Sequence, residues 1–156
     1  MSSESLESLQ LLLDRATQER DRMAGELRRG EDVALRTRRQ GEQLAGYRVE
    51  YLQRWSRQFG RGGAIEIVHC YQSFMQRLDE AMEQQQRQIE ATERALAAVR
   101  EALVRCEVRV ASLRKLIERR RAEQRRVQER REQRHTDELA QQATHRRTRG
   151  VLAVQH

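Results

Sequence analysis

Proline does not occur anywhere in these 156 residues. A chain of this length with average usage carries about eight prolines, so the commonest interruption of a helix is missing and helical runs can be long. Aromatic residues make up only 4% and hydrophobic residues 37%, with a mean hydropathy of -0.95, which is too little apolar surface for a conventional layered core. Two cysteines occur, Cys70 and Cys106. If they lie on one helix they stand about 54 Å apart at 1.5 Å per residue, too far to bridge, and unpaired cysteines fit a reducing cytosol. No apolar run approaches the roughly 20 residues of a membrane span. The start of the chain, Met1 to Asp14, is acidic, and its apolar run Leu11 to Leu13 is too short for a secretory signal.

What remains is rich in Arg, Glu, Gln, Ala and Leu, the composition of long helices. Disorder is the competing reading, and it predicts no ordered apolar period. A heptad decides against it. From Val68 the a positions are Val68, Met75, Met82, Ile89, Leu96, Leu103, Val110 and Ile117, all apolar. The d positions are Tyr71, Leu78, Gln85, Thr92, Val99, Cys106 and Leu113. This is a sustained coiled-coil seam. In the first part of the chain the a positions are Leu6, Leu13, Arg20, Leu27, Ala34, Gly41, Arg48 and Trp55, and the d positions are Leu9, Ala16, Met23, Gly30, Thr37, Leu44, Tyr51 and Gln58. This seam is weaker, and Gly30 and Gly41 put the regularity of residues 28–42 in question.

Glycine marks the reversal between the two seams: Gly60, Gly62 and Gly63 fall together within Phe59 to Ala64, where positive φ is needed. The expected fold is therefore all-α, a long two-helix antiparallel coiled-coil hairpin with a basic C-terminal helical extension. As a single coiled-coil domain it has helix 1 over about 5–58, a turn at 59–64, helix 2 over about 65–149, and a frayed tail at 150–156 after Gly150. Matching the seams pairs Trp55 with Val68 near the turn and Leu6 with Ile117 at the other end. Beyond Ile117 the apolar stripe stops. There Glu118, Glu123, Glu129 and Glu132 lie among arginines at spacings that allow pairs along one helix.

The net charge of +7 is uneven, with +2 over residues 1–64, zero over 65–117 and +5 over 118–156. The basic run from Arg119 to Arg134 has three readings: a solvated helix face, a nucleic-acid or anionic-membrane footprint, or an electrostatic partner site. Interleaved glutamates blunt its field, and no aromatic lies in it for base stacking, which weighs against nucleic acid. Catalytic chemistry is hard to build on this pattern, because two paired helices enclose no pocket. The histidines, His69, His135, His145 and His156, form no i, i+4 pair, and no cysteines have metal-ligand spacing. The glycine turn lacks the strand and the Lys-Ser/Thr of a phosphate loop. Neither a metal, a cofactor nor a small-molecule substrate is expected.

The aromatic residues are the informative group. Tyr47, Tyr51, Trp55, Phe59, Tyr71 and Phe74 all flank the turn. Packing of the closed end accounts for Tyr51, Trp55 and Tyr71 on the seam. It does not account for Tyr47 and Phe74, which occupy g positions at the seam's edge, where charged residues are usual. Apolar rings beside a seam suggest a protein-docking surface.

These residues carry a family resemblance. Tyr47-Arg48-Val49-Glu50-Tyr51-Leu52, the glycine turn, Tyr71-Gln72-Ser73-Phe74 and then Leu78-Asp79-Glu80-Ala81-Met82 resemble the FliJ family of flagellar export proteins, as do Arg130-Arg131-Glu132-Gln133 and Asp137-Glu138-Leu139-Ala140 near the end. Cys70 departs from the asparagine of many members. The resemblance implies a non-enzymatic component of the flagellar type III export apparatus, similar to the central stalk of rotary ATPases. It implies binding to the flagellum-specific export ATPase ring and to the cytoplasmic domain of the export gate, exchange of export chaperones, and a place at the cytoplasmic face of the inner membrane. Carried over by position, the gate-docking face is Gln40, Leu44, Tyr47, Tyr51, Phe74, Leu78, Ala81 and Gln85. The basic segment, with Arg119, Arg120, Arg125 and Arg126, falls to the ATPase ring in this stalk reading. The equivalent stalk of an injectisome and a generic coiled-coil scaffold are the alternatives.

Overall fold

A computed structural model describes residues 2–155. It contains two helices and, among the described residues, no strand: α1 over Ser2–Phe59 and α2 over Ile65–Val154. The chain reverses between them and the helices pack against each other, which makes the all-α antiparallel hairpin. Gly62, at φ +80°, is the one described residue with positive φ, as a reversal this tight demands. The end of α1 is tied down by bonds from Gly60 N to Ser56 O, Arg61 N to Gln58 O and Gly62 N to Phe59 O. The carbonyl of Ala64 accepts the first bonds of α2, from Ile67 and Val68.

Two compact units divide the chain, one of residues 17–108 and one of 1–16 with 109–156. In the 17–108 unit every a and d position of α2 is buried or half-buried, with Met75, Leu78 and Leu96 the most enclosed. The α1 positions that interrupt the apolar pattern, Arg20, Gly30, Thr37, Gly41 and Arg48, are also withdrawn from solvent. In the other unit Ala16, Val110 and Ile117 are buried, and Leu6, Leu9, Leu13 and Leu113 are half-buried. Arg120 Nη1 donates to Ser5 Oγ at 3.2 Å. From Arg125 onward every described residue is exposed. No described helix is long and apolar enough to cross a membrane.

Four details differ from the reading of the sequence. The register is displaced by about one turn: Trp55 stacks on Tyr71 at 5.0 Å between ring centroids in place of pairing with Val68, and an added Cβ at Gly30 would meet Leu96 Cδ1 at 3.3 Å. Antiparallel helices stagger so that an a residue packs beside a d residue of its partner, and like-with-like pairing by position misses that offset.

Gly150 does not end α2, which runs on to Val154, so residues 150–154 are helix and not a frayed tail. Glycine stops a helix when it takes the left-handed conformation; in the interior it costs about 1 kcal/mol relative to alanine and, without a following proline, lets the helix continue. The acidic residues Glu118, Glu123, Glu129 and Glu132 form no ion pair among the described residues. All of the described pairs lie within 17–108: Arg20–Asp21, Arg22 with Glu19 and Glu26, Arg38–Glu93 and Arg48–Asp79. Finally, α1 is unbroken through residues 28–42.

The glycines of α1 separate into two kinds. A Cβ on Gly41 would sit 3.0 Å from Ile89 Cδ1, whereas Gly46 has nothing within 4 Å. Gly46→Ala is therefore expected to raise stability by about 0.5–1 kcal/mol through helix propensity alone. Gly41→Ala loses that gain to the displaced Ile89 side chain. Urea unfolding of both variants checks this, and an equal gain from both would remove the close approach at Gly41.

Candidate docking surfaces

The a and d residues face the partner helix, so the e and g positions form the two flanks of the pair. On the e flank of the 17–108 unit the helices are joined by charge: Arg38 with Glu93, and Arg48, reaching out from its a position, whose Nε donates to Asp79 Oδ1 at 2.8 Å. These pairs are at least one-third exposed, so each contributes at most a few tenths to about 1 kcal/mol.

The g flank is of a different kind. It carries Val33, Gln40 and Tyr47 from α1 and Ile67, Phe74 and Ala81 from α2. Among the described residues no interhelical ion pair lies on it. Tyr47 is 53% exposed and Phe74 39%, and Val33 and Ile67 are exposed at other g positions of the same helices.

The rings divide accordingly. Phe59, Trp55 and Tyr71 form a mutually packed trio next to the turn, with centroids 5.0 to 5.5 Å apart. Tyr51 and Phe74 form a separate pair at 4.7 Å, inclined by 54°. The guanidinium of Arg54 lies 5.9 Å from the Tyr51 ring, within cation–π range. Tyr47 belongs to neither group. Phe74 therefore stands half outside, propped on Tyr51, and Tyr47 projects alone. Large apolar rings held this way, on a flank whose nearest charge is Arg54 at the next g position, are the kind of residue that anchors protein–protein contacts.

Of the carried-over set, Gln40, Tyr47, Phe74 and Ala81 are exposed, Leu44 and Tyr51 are half-buried, and Leu78 is buried at 9%. Gln85 is half-buried and turned toward α1: its Nε2 donates to Thr37 O at 2.8 Å and to Gln40 Oε1 at 3.4 Å. The sequence reading missed Val33 and Ile67. The signal was available, since both share the g position of Tyr47 and Phe74.

In the unit of residues 1–16 and 109–156, Arg119, Arg120, Arg125 and Arg126 are all exposed. An open groove of about 740 Å³ runs along Arg120, Arg121, Gln124, Arg125, Val127 and Arg131. Along it the continuation of the α2 seam, Gln124 and Val127, lies among guanidinium groups that form no ion pair among the described residues and the carboxylate of Glu123. Such a groove can take carboxylates or other anions. Nothing in it can do covalent chemistry, and among the described residues no three or more of His, Cys, Asp and Glu are grouped to hold a metal ion.

Fold and flank together describe a two-helix coiled-coil protein with exposed aromatic rings on one flank and a run of exposed arginines near the end of α2. The model of one family, the flagellar FliJ protein, matches residues 5–149. The chain belongs to the FliJ family and is a component of flagellar protein export. No curated protein and no solved structure matches it.

Trp55 is the one tryptophan of the chain and reports the trio without reporting the exposed pair. Tyr71→Ala is expected to shift its fluorescence emission to longer wavelength, and Tyr47→Ala to leave it unchanged. A shift with Tyr47→Ala would place Tyr47 within the packed end.

Proposed function

We propose that this chain is the coiled-coil stalk of the flagellar type III export apparatus, acting by binding and not by catalysis. The face formed by Gln40, Tyr47, Phe74 and Ala81 on the g flank, with the d residues Leu44, Tyr51, Leu78 and Gln85 beneath them, docks on the cytoplasmic domain of the export gate. The segment bearing Arg119, Arg120, Arg125 and Arg126 contacts the export ATPase ring. Export chaperones are further partners, and the protein works at the cytoplasmic face of the inner membrane. The observation that carries the reading is the exposure of Tyr47 and Phe74 on one flank, crossed by no ion pair among the described residues, of a chain belonging to this family. The guanidinium groups along the groove of the other unit, which form no ion pair among the described residues, support the ring contact, because they are available to acidic or polar groups of a partner at little desolvation cost.

Truncating an aromatic anchor commonly costs 2 kcal/mol or more. Tyr47→Ala and Phe74→Ala are therefore expected to weaken binding to the gate's cytoplasmic domain by about thirty-fold or more, with helicity intact by circular dichroism. Normal binding by both variants rejects the docking face.

Charge reversal of Arg119, Arg120, Arg125 and Arg126 is expected to reduce stimulation of the export ATPase and to leave gate docking intact, since the two residue sets do not overlap. Full stimulation by that variant removes the ring contact from this segment.

A further inference from the structure

The rings that stand out of the g flank do so beside arginines. Arg54 follows Tyr47 at the next g position. Its guanidinium lies 5.9 Å from the Tyr51 ring, which itself meets Phe74 at 4.7 Å. Arg77 comes three residues after Phe74, a spacing that puts both on one side of α2. The two line one shallow hollow of about 380 Å³ together with His69, Cys70 and Ser73. A group that fills this hollow meets an aromatic ring and a guanidinium at once.

Neither arginine is spent inside the molecule. Both are exposed, and neither takes part in an ion pair among the described residues. Glu50, four residues before Arg54, stands at a spacing that permits a pair and makes none among the described residues. Over the g and c positions of residues 40–57 and 67–84 it is the one acidic residue, against Arg54, Arg57 and Arg77. The groove beside Arg48 on the opposite flank has the other sign: Arg48 is already paired with Asp79, and Glu80 and Glu83 stand next to them. The 17–108 unit as a whole is nearly balanced, with sixteen arginines and fifteen acidic residues. The contrast is therefore local, and it turns one flank toward negative charge.

A guanidinium is planar and weakly hydrated, stacks on a ring, and holds a carboxylate through two parallel bonds. Charges at the rim of an apolar contact steer encounter and suppress wrong partners. We propose that Arg54 and Arg77 select the partner of this flank: its surface carries carboxylates beside the apolar site that takes Tyr47 and Phe74, and each arginine receives one. This rests on the docking face proposed above and adds the chemistry of the surface it meets. A continuous anionic surface such as a membrane fits less well, because it presses Glu50 against like charge, whereas discrete carboxylates can stand clear of it.

The test measures binding of the full chain to the gate's purified cytoplasmic domain from about 50 to about 500 mM salt. Arg54→Gln with Arg77→Gln keeps most of each stem and removes the charge. It is expected to bind about ten-fold more weakly at the low end and to lose most of the salt dependence of the unsubstituted chain. Arg54→Glu with Arg77→Glu is expected to lose more, and Arg54→Lys with Arg77→Lys less. Arg87→Glu, at an exposed f position of α2 away from both flanks, is expected to bind normally. Normal binding by the Gln variant overturns the proposal, as does an equal loss with Arg87→Glu. A loss that is the same at both ends of the salt range assigns the two residues to packing and also overturns it. So does a fall in helicity, by circular dichroism, in the Gln and Lys variants alike. Binding to vesicles of phosphatidylserine and phosphatidylcholine, mixed about one to three, that the Gln variant loses while gate binding is unchanged makes the pair a lipid contact, with the same result. Tyr47→Ala and Phe74→Ala in the same assay separate the two readings. If they bind weakly while the Gln variant binds normally, selection by charge alone fails. If they bind normally, or if the unsubstituted chain does not bind, the docking face fails and this proposal with it.

Discussion

The close approach of α2 to the small-residue stretch of α1 is the constraint on which the 17–108 unit depends. A two-helix protein has no third layer to absorb a misfit, so each seam residue must find its volume in the one facing helix. Gly30, Ala34, Thr37 and Gly41 have little side-chain volume to offer. They are compensated by Leu96, Ile89 and the long side chain of Gln85, which fill the space from the other side. Knobs come mostly from one helix and holes mostly from the other. That asymmetry explains how a helix with a weak apolar pattern can stay unbroken and withdrawn from solvent along its seam.

The flanks follow from the same packing. Once the register is set, e positions meet e positions and g positions meet g positions. Charge gathers on one side, as Arg38–Glu93 and Arg48–Asp79, and apolar rings on the other. Exposed ion pairs contribute little net stability, but they keep the e flank polar. The g flank keeps its rings because Tyr51, a seam residue, stacks under Phe74 and so ties an exposed ring to the core. The unit of residues 1–16 and 109–156 has no comparable apolar investment after Ile117. Its arginines stay solvated and form no ion pair among the described residues, whereas the g flank presents apolar rings. Membership in the FliJ family places the chain in flagellar protein export.

Helix, turn and heptad were legible in the sequence because each depends on local chemistry. Missing proline permits long helices, clustered glycine permits the one positive φ at Gly62, and an apolar repeat at a and d selects the buried face whatever the partner. The exposed positions of Tyr47 and Phe74 were legible too, since g follows from a by counting. The offset of Trp55 onto Tyr71, the use of Gly30 and Gly41 as holes, and the inward turn of Gln85 were decided only by the tertiary structure. Each depends on which residue of a second helix lies opposite, and a pattern with a period of seven repeats itself at every heptad. The helical course through Gly150 likewise turned on backbone conformation, which a glycine leaves open. Periodicity identifies the face that is buried; steric fit between two particular surfaces decides the level at which they meet.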